Sequence, residues 1–255
     1  MHKIGDGKEA DIYLDETVFK LFKNQSTGRN RAEVEQTVLD FLLKQSFPVP
    51  TPKGIFEEGK RVGLKMSFIP GSTLEGDYYI AGHGRRVGEI LGNLHYQLHN
   101  IPIETIPHNL PRAENLFTDL AREHNLYETL CLSNSKNLVL AHGDFHPANI
   151  IDSADRRVVI DWSRAYIGTA ESDIATTLTI LLLFPPPTDA TPQERTILQK
   201  NLYETKRVYI STYNELRQLD RLLIMQWIRL IAARFSKNDE KVMKLINGDI
   251  DLPWP

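Results

Sequence analysis

The sequence has little of several features that would point to common classes of protein. Its single cysteine, Cys131, excludes an internal disulfide framework and a cysteine-based zinc site. The charges are nearly balanced, since 30 basic and 33 acidic side chains give a formal net charge of −3. Without a basic excess, we expect neither a nucleic-acid partner nor polybasic contact with a membrane. The longest apolar run, residues 177–184, is too short to cross a bilayer, and the polar N-terminal residues carry no secretion signal. We therefore expect a cytoplasmic protein.

The apolar sequence that is present, 41% of 255 residues, is enough for one large domain or two small ones. In the first part of the chain, β-type runs at residues 10–14, 17–22 and 61–69 surround a helical pattern over residues 31–45. From about residue 81 the pattern is mostly helical, over residues 87–99, 112–130, 193–217 and 219–236. Three short β runs interrupt these helices at residues 138–141, 149–151 and 158–161.

These patterns predict an α+β chain with two unequal lobes. The small, β-rich N-terminal lobe spans residues 1–68, a linker spans residues 69–76, and the larger, mostly helical C-terminal lobe spans residues 77–255. A boundary between two unequal lobes is a common place for a ligand-binding cleft.

The most informative motif runs from residue 138 to residue 162 and reads LVLAHGDFHPANIIDSADRRVVIDW. The runs on either side of the SADRR turn predict an antiparallel hairpin. A register that places Ile151 opposite Val159 also places Asn149 opposite Asp161. Asp144 would then lie near the same end of the hairpin, and the oxygens of Asn149 and Asp161 are ligands suited to Mg²⁺ beside phosphate.

The spacing of His142, Asp144 and Asn149, followed by Asp161, is that of a kinase catalytic loop and its metal-binding aspartate. Gly143 stands where protein kinases have arginine, and the later triplet is Asp-Trp-Ser. The pattern H-G-D-x-H-x-x-N…I-D-W instead resembles the aminoglycoside phosphotransferase family, which includes antibiotic, choline, homoserine and fructosamine kinases.

This resemblance implies a two-lobed, protein-kinase-like fold and the transfer of a phosphoryl group from ATP (or GTP) to a hydroxyl of a small-molecule acceptor. The acceptor would be an aminoglycoside-like antibiotic, an amino alcohol or a sugar derivative. The resemblance also implies that Asp144 is catalytic and that Asn149 and Asp161 bind Mg²⁺.

The N-terminal residues are consistent with a nucleotide site. Gly5 and Gly7 match the first two glycines of the kinase loop, where backbone N–H groups approach phosphates, and Ala10 replaces the third. Lys20 lies in an apolar run and needs a partner. Glu35 shares the apolar face of its predicted helix, so we expect Glu35 to pair with Lys20. Such a pair matches the one that positions the phosphates in kinases.

Further roles follow only from the resemblance. The strand end at residues 65–71 would be the hinge, where the backbone of Ser67 and Ile69 contacts the adenine edge. Asp173 would brace the catalytic loop. Ser172 or Asp173 is also placed to cap the helix that follows. Acids in the predicted helix at residues 112–130 would favour a cationic acceptor or simply form a solvated helix face; they are Glu114, Asp119, Glu123 and Glu128.

Two other classes of function stay open at this point. The same fold could serve as a catalytically inactive nucleotide-binding module, although every chemically important position is present. The G-D-x-H sequence at residues 143–146 also occurs in metal-dependent phosphoesterases, but the histidine-rich clusters that those sites need are missing from the neighbouring sequence. His95 and His99, one helical turn apart, are predicted to be packing or hydrogen-bonding residues.

Overall fold

The computed structural model describes residues 2–134, 138–235 and 238–254. The chain forms two compact units. The first contains the chain up to Thr73 together with residues 106–110 and 149–165. The second contains residues 74–105 and 111–148 and the chain from Tyr166 onward. The predicted α+β class, with a small antiparallel-sheet part and a larger helical part, is confirmed.

The first unit is built on a five-stranded antiparallel sheet in the order β1-β2-β3-β5-β4. Its strands are β1 (His2–Asp6), β2 (Ala10–Asp15), β3 (Thr17–Phe22), β4 (Pro52–Glu58) and β5 (Arg61–Ser67). Helix α1 (Gly28–Lys44) packs on this sheet through its apolar stripe, in which Val38, Leu39 and Leu42 are almost fully buried. Burial of this stripe is the main stabilisation available to a helix of mediocre intrinsic propensity.

A second, three-stranded sheet in the same unit joins β6 (Ser72–Thr73), β8 (Ile150–Asp152) and β9 (Arg157–Val159). The hairpin predicted in this region is present, but its predicted register is wrong by one residue. Ile150, not Ile151, lies opposite Val159. The reason is the turn: Ser153 N–H bonds the carbonyl of Arg156, which closes a four-residue loop that only this register fits.

The second unit is mostly helical. Its helices are α2 (Gly84–His99), α3 (Ala113–Glu123), α4 (Tyr127–Asn134), α5 (Ala170–Leu183), α6 (Pro192–Leu216), α7 (Arg221–Ala232) and α8 (Glu240–Asn247). Two short strands, β7 (Leu138–Ala141) and β10 (Tyr166–Thr169), pair antiparallel between them. Helix α5 is buried on nearly all sides, as its apolar sequence predicts. Within the described part of the chain, no helix has the length and apolar character needed to cross a bilayer.

Several local predictions are corrected by the structure. The single helix predicted at residues 112–130 is two helices, and the break falls where Asn125 adopts a left-handed backbone with φ 54°. Helix α5 is capped by neither Ser172 nor Asp173: Thr169 is the N-cap, and its side chain accepts the N–H of Ser172. Both predicted caps already lie in the first turn. Strands β1, β4 and β10 and helix α8 were not predicted.

Candidate active site

The predicted pair of Lys20 and Glu35 is confirmed. Lys20 lies on β3 and Glu35 on α1, and both are buried, at 6% and 1% exposure. The ammonium of Lys20 donates to both carboxylate oxygens of Glu35, at 3.0 and 2.8 Å. The helical face that sequence periodicity assigned to Glu35 therefore brings this buried carboxylate to a cation that offsets the cost of its burial.

Asp161 joins this pair. Its Oδ1 accepts a hydrogen bond from Lys20 at 2.6 Å and another from the hydroxyl of Ser163 at 2.8 Å. The backbone of Asp161 is left-handed, with φ 62°, an uncommon conformation for a residue other than glycine. The next residue stabilises it, because buried Trp162 donates its backbone N–H to Glu35 and its indole N–H to Val159. Such strain at a site residue is typical of functional sites.

Charge is concentrated in this cluster. Burial alone would lower the pKa of Lys20, but the carboxylates of Asp161 and Glu35 outweigh it and raise that pKa above its ordinary value. Burial raises the pKa of Glu35, against the opposing effect of Lys20. One cation between two carboxylates leaves a net negative charge, which suits a site that must attract a divalent cation.

Asn149 belongs to the same unit and is also buried, at 8% exposure. Its backbone carbonyl accepts the N–H of Ile160, the residue before Asp161. The corrected register thus places Asn149 beside Ile160, not directly opposite Asp161. The two residues still lie on adjoining strand ends, and their amide and carboxylate oxygens are the hard ligands that Mg²⁺ prefers. The side chain of Asp161 is 37% exposed and therefore accessible to an ion from solvent.

The predicted nucleotide loop joins β1 to β2. Gly5 lies on β1, and Gly7 donates its N–H to the carbonyl of Ala10 at 3.0 Å, closing the turn. A Cβ atom on Gly7 would lie 3.2 Å from that same oxygen, so the turn favours glycine. Lys23 spans the loop and bonds the carbonyl of Gly7 and the carboxylate of Asp6.

The predicted hinge residues lie at the end of β5. Ser67 donates its backbone N–H to the carbonyl of Thr51 at 2.8 Å, and its hydroxyl accepts the N–H of Thr51. The N–H of Ser67 is thus used within the first unit. Ile69 lies two residues beyond the end of the strand and is half-buried.

Asp144 belongs to the second unit, whereas Lys20, Glu35 and Asp161 belong to the first. The loop that carries it follows β7 and is fixed by its backbone. Asp173 accepts the N–H of His142 at 2.6 Å and that of Gly143 at 2.9 Å, and Asp144 donates its N–H to His142. Gly143 has φ 77°, a left-handed conformation that glycine adopts without strain.

Asp173 is itself held by two buried histidines. His95 and His99, which were predicted to be packing or hydrogen-bonding residues, both bond it. Oδ2 of Asp173 contacts Nε2 of His95 at 2.9 Å and Nε2 of His99 at 3.3 Å. The other ring nitrogens bond the hydroxyls of Tyr209 and Tyr213. Burial opposes ionisation of Asp173, but His95 and His99 hold its pKa well below the ordinary value.

The surroundings favour the charged form of Asp173 but the neutral form of His99. Burial, reinforced by His95, lowers the pKa of His99 to about 3. His99 is therefore neutral at physiological pH: Nε2 donates its proton to Asp173, and Nδ1 accepts from Tyr213. Sequence analysis assigned a bracing role to Asp173 alone. The i, i+4 spacing of the histidines was the only available signal for the wider network, because the tyrosines lie more than a hundred residues away.

Other residues were missed altogether. Ser163 was noted only as a departure from the kinase triplet, yet it bonds Asp161. Glu9, inside the nucleotide loop, forms ion pairs with Arg31 and Arg164. The two ion pairs of Glu9 have no sequence signature, since each joins segments that only the fold brings together.

Comparisons with known proteins identify the family and the fold. The model of the phosphotransferase enzyme family matches residues 2–209. Among solved structures, an aminoglycoside-3'-phosphotransferase of type VIII has a TM-score of 0.65 at 15% identity, covering 91% of this chain and 92% of that one. An amicoumacin kinase solved with AMP-PNP and Ca²⁺ has a TM-score of 0.57 at 13% identity, covering 96% of this chain and 85% of that one.

A third similar structure is the aminoglycoside phosphotransferase APH(3'')-Id from Streptomyces rimosus, solved with ADP and streptomycin. Its TM-score is 0.60 at 16% identity, covering 87% of this chain and 88% of that one. No curated protein matches the chain. At these identities the solved structures establish the kinase-like fold, and the family match, which spans most of the chain, establishes the kind of enzyme. The chain belongs to the phosphotransferase enzyme family.

Proposed function

We propose that the chain transfers the γ-phosphoryl group of ATP, or of GTP, to a hydroxyl group of a small molecule, with Mg²⁺ as the metal. The acceptor class is an aminoglycoside-like antibiotic, an amino alcohol or a sugar derivative. The observation that carries the proposal is the buried cluster in which Lys20 bonds both Glu35 and Asp161. Two of the similar structures were solved with AMP-PNP and Ca²⁺ and with ADP, which supports the use of a nucleotide and a divalent cation.

The first unit would hold the nucleotide. Lys20, whose three N–H groups bond Glu35 and Asp161, would present its positive charge to the phosphates that are not transferred. The N–H groups near Gly5 and Gly7 would approach the phosphates from the loop. Ser67 and Ile69 would contact the adenine edge through their backbone; the N–H of Ser67 is already bonded to Thr51, so a contact there would use another group.

The same unit would hold the metal. Asn149 and Asp161 supply an amide and a carboxylate oxygen, which fit Mg²⁺ in number and kind when phosphate and water complete its shell. When bound, Mg²⁺ would neutralise part of the negative charge on the phosphates. The hydrogen bonds from Lys20 and Ser163 fix Oδ1 of Asp161 and so orient the carboxylate.

Asp144 would act on the acceptor. Phosphoryl transfer passes through a loose transition state, so the main task of this carboxylate is to orient the acceptor hydroxyl and to take its proton as the bond forms. The bracing of residues 142 and 143 by Asp173 keeps the loop that carries Asp144 in one conformation. An oriented base of this kind contributes through positioning more than through basicity.

The identity of the acceptor depends on residues beyond this machinery. The acids Glu114, Asp119, Glu123 and Glu128, on α3 and α4, are all exposed. This exposure favours a solvated helix face for them, while contact with a cationic acceptor is the other role that they could have.

A panel of acceptors, read by release of ADP, tests the proposal. We expect turnover with at least one hydroxyl compound, and we expect Asp144→Asn to reduce kcat by at least about 100-fold, the range typical of a lost general base. Nucleotide affinity should survive in Asp144→Asn, whereas Asp161→Ala should weaken binding of the Mg²⁺–nucleotide complex itself.

The matched control is Asp189→Asn, which makes the same change at an exposed residue of the second unit. Its activity should equal that of the wild type. Near wild-type activity in Asp144→Asn would contradict the role of Asp144. Tight nucleotide binding without turnover of any acceptor would favour an inactive nucleotide-binding module, and failure to bind nucleotide with the divalent ion supplied would contradict the proposal as a whole.

A further inference from the structure

Glu9 lies inside the nucleotide loop, between Gly7 and Ala10, and the proposed function gives it no role. Its carboxylate forms ion pairs with two arginines, Arg31 and Arg164. We propose that Glu9 is a positioning residue for the nucleotide: the three side chains, which we name the Glu9 clasp, hold the loop in the conformation that closes over the phosphates. This inference rests on the proposed nucleotide site and extends it.

The positions of the two arginines give the clasp its meaning. Arg31 lies on α1 one turn before Glu35, so both residues face the same side of the helix. Arg164 lies three residues after Asp161, in the segment of residues 149–165 of the first unit, which also contains Asn149. A single carboxylate thus connects the loop to the helix that carries the partner of Lys20 and to the segment that carries the metal-binding carboxylate.

The backbone of the loop is held independently on its other side. The carbonyl of Glu9 accepts the N–H of Lys23 at 2.8 Å, and the ammonium of Lys23 bonds the carbonyl of Gly7 at 2.7 Å. With the stem of the loop fixed to β3, the side chain of Glu9 decides whether the loop also stays attached to α1 and to the segment of Arg164.

The strength of the clasp comes from its connectivity. The side chains of Arg31, Glu9 and Arg164 are 27%, 32% and 34% exposed, and isolated pairs at such positions contribute little. Here one carboxylate bonds two guanidinium groups from separate segments, and arginine presents donors in a fixed geometry that suits a carboxylate. The expected consequence is control of loop opening, not of global stability, because the buried core of the unit lies elsewhere.

Nucleotide dissociation measures this directly. We would follow the release of a fluorescent ATP analogue, with Mg²⁺ present, on mixing with excess unlabelled ATP. Glu9→Gln removes the charge at constant size, and we expect it to raise the dissociation rate about tenfold, an effect equivalent to one strong contact. The KM for the acceptor should not change, because the loop contacts only the nucleotide.

Glu57→Gln is the matched control. Glu57 lies on β4 of the same unit and pairs with Arg29, which like Arg31 belongs to α1. The Glu57→Gln variant makes the same chemical change at an exposed ion pair outside the clasp, and it should release nucleotide at the wild-type rate. The difference between Glu9→Gln and wild type should also shrink at high salt, since partly exposed charges are screened; a change caused by misfolding would not depend on salt in this way.

A double-mutant cycle with Arg164→Gln completes the test. If both residues act through one contact, the double variant should release nucleotide no faster than Glu9→Gln alone. Additive effects of the two substitutions on the dissociation rate, or an unchanged dissociation rate in Glu9→Gln, would overturn the clasp. The proposed function would still stand in either case if the wild type binds nucleotide. Slower release from Glu9→Gln would also overturn it, because the arginines would then serve as phosphate ligands for which Glu9 competes. Absence of nucleotide binding by the wild type would overturn both proposals.

Discussion

At the scale of single residues, a few side chains carry the chemistry and their neighbours carry the geometry. Lys20 and Glu35 could be paired from sequence because each violated its surroundings: a cation in an apolar strand and an acid on an apolar helix face must find each other. Ser163 could not be found in this way, because a serine is acceptable in almost any environment. Its importance comes from the carboxylate that it bonds, not from its own cost of burial.

Ser163→Ala tests that importance. The hydroxyl of Ser163 donates to Oδ1 of Asp161 at 2.8 Å, and a hydrogen bond to a charged group contributes about 1.5–3 kcal/mol. We expect the variant to bind Mn²⁺ at least about tenfold more weakly in the presence of AMP-PNP, as read by electron paramagnetic resonance, because each ~1.4 kcal/mol is a factor of ten. Ser153→Ala, in the hairpin turn of the same unit, should bind Mn²⁺ normally. Equal affinity in both variants would show that Lys20 alone orients Asp161.

At the scale of elements, sequence periodicity identified most helices and the strands β2, β3 and β5. It failed where no pattern exists. Strand β1 is polar and mostly exposed, so alternation was absent, and β10 is four buried residues that read as part of the next helix. The hairpin shows the same limit: its strands were predicted, but its register depends on the bond between Ser153 and Arg156, and a one-residue error moved the expected partner of Asn149 from Ile160 to Asp161.

Helices α2 and α6 pack closely against each other in the second unit, and glycines permit this. A Cβ on Gly88 would lie 2.8 Å from the carbonyl oxygen of Thr205 and 2.8 Å from Cβ of Val208. Neither atom can move without separating the helices. Because α2 carries both histidines that hold Asp173, and α6 carries the tyrosines that bond them, the spacing of this helix pair also affects the position of the loop that carries Asp144.

Gly88→Ala should therefore destabilise the protein although alanine is the better helix former. The gain in helix propensity is about 1 kcal/mol, whereas overpacking costs about 1–3 kcal/mol, so we expect a net loss of about 1 kcal/mol. Urea unfolding at constant m-value measures it. Gly76→Ala is the control, since a Cβ there meets no atom within 4 Å. An equal or higher midpoint for Gly88→Ala would show that the helices have room to adjust.

At the scale of the whole molecule, the chain separates its tasks. The residues that we propose for the nucleotide and the metal belong to the first unit, and Asp144 and its brace belong to the second. The brace is a buried carboxylate with two imidazoles, so the stability of the second unit should depend on pH. Which group dominates depends on the direction of each pKa and on the pH window considered.

His99 governs the range between pH 7 and pH 5. In the unfolded chain its pKa is ordinary, near 6.5, so it takes up a proton as the pH falls; in the folded protein its pKa is about 3, and it stays neutral. The unfolded state therefore binds more protons, and the free energy of unfolding decreases by about 2 kcal/mol as the pH is lowered from 7 to 5. Asp173, whose pKa is depressed on folding, loses its contribution only below the ordinary pKa of an aspartate, near 4, and so adds little in this window.

His99→Gln removes this titration while keeping a group that can donate to Asp173. We expect the variant to be less stable than wild type at pH 7 but to lose about 2 kcal/mol less on acidification to pH 5, as measured by urea unfolding at both values. His108→Gln, at an exposed histidine of the chain, should retain the full wild-type loss. The same loss of stability in wild type and His99→Gln would contradict a neutral, buried His99. An NMR titration of its ring with a midpoint near 6.5 in the folded protein would contradict it too. Either result would mean that the imidazole takes up its proton without unfolding the network around Asp173.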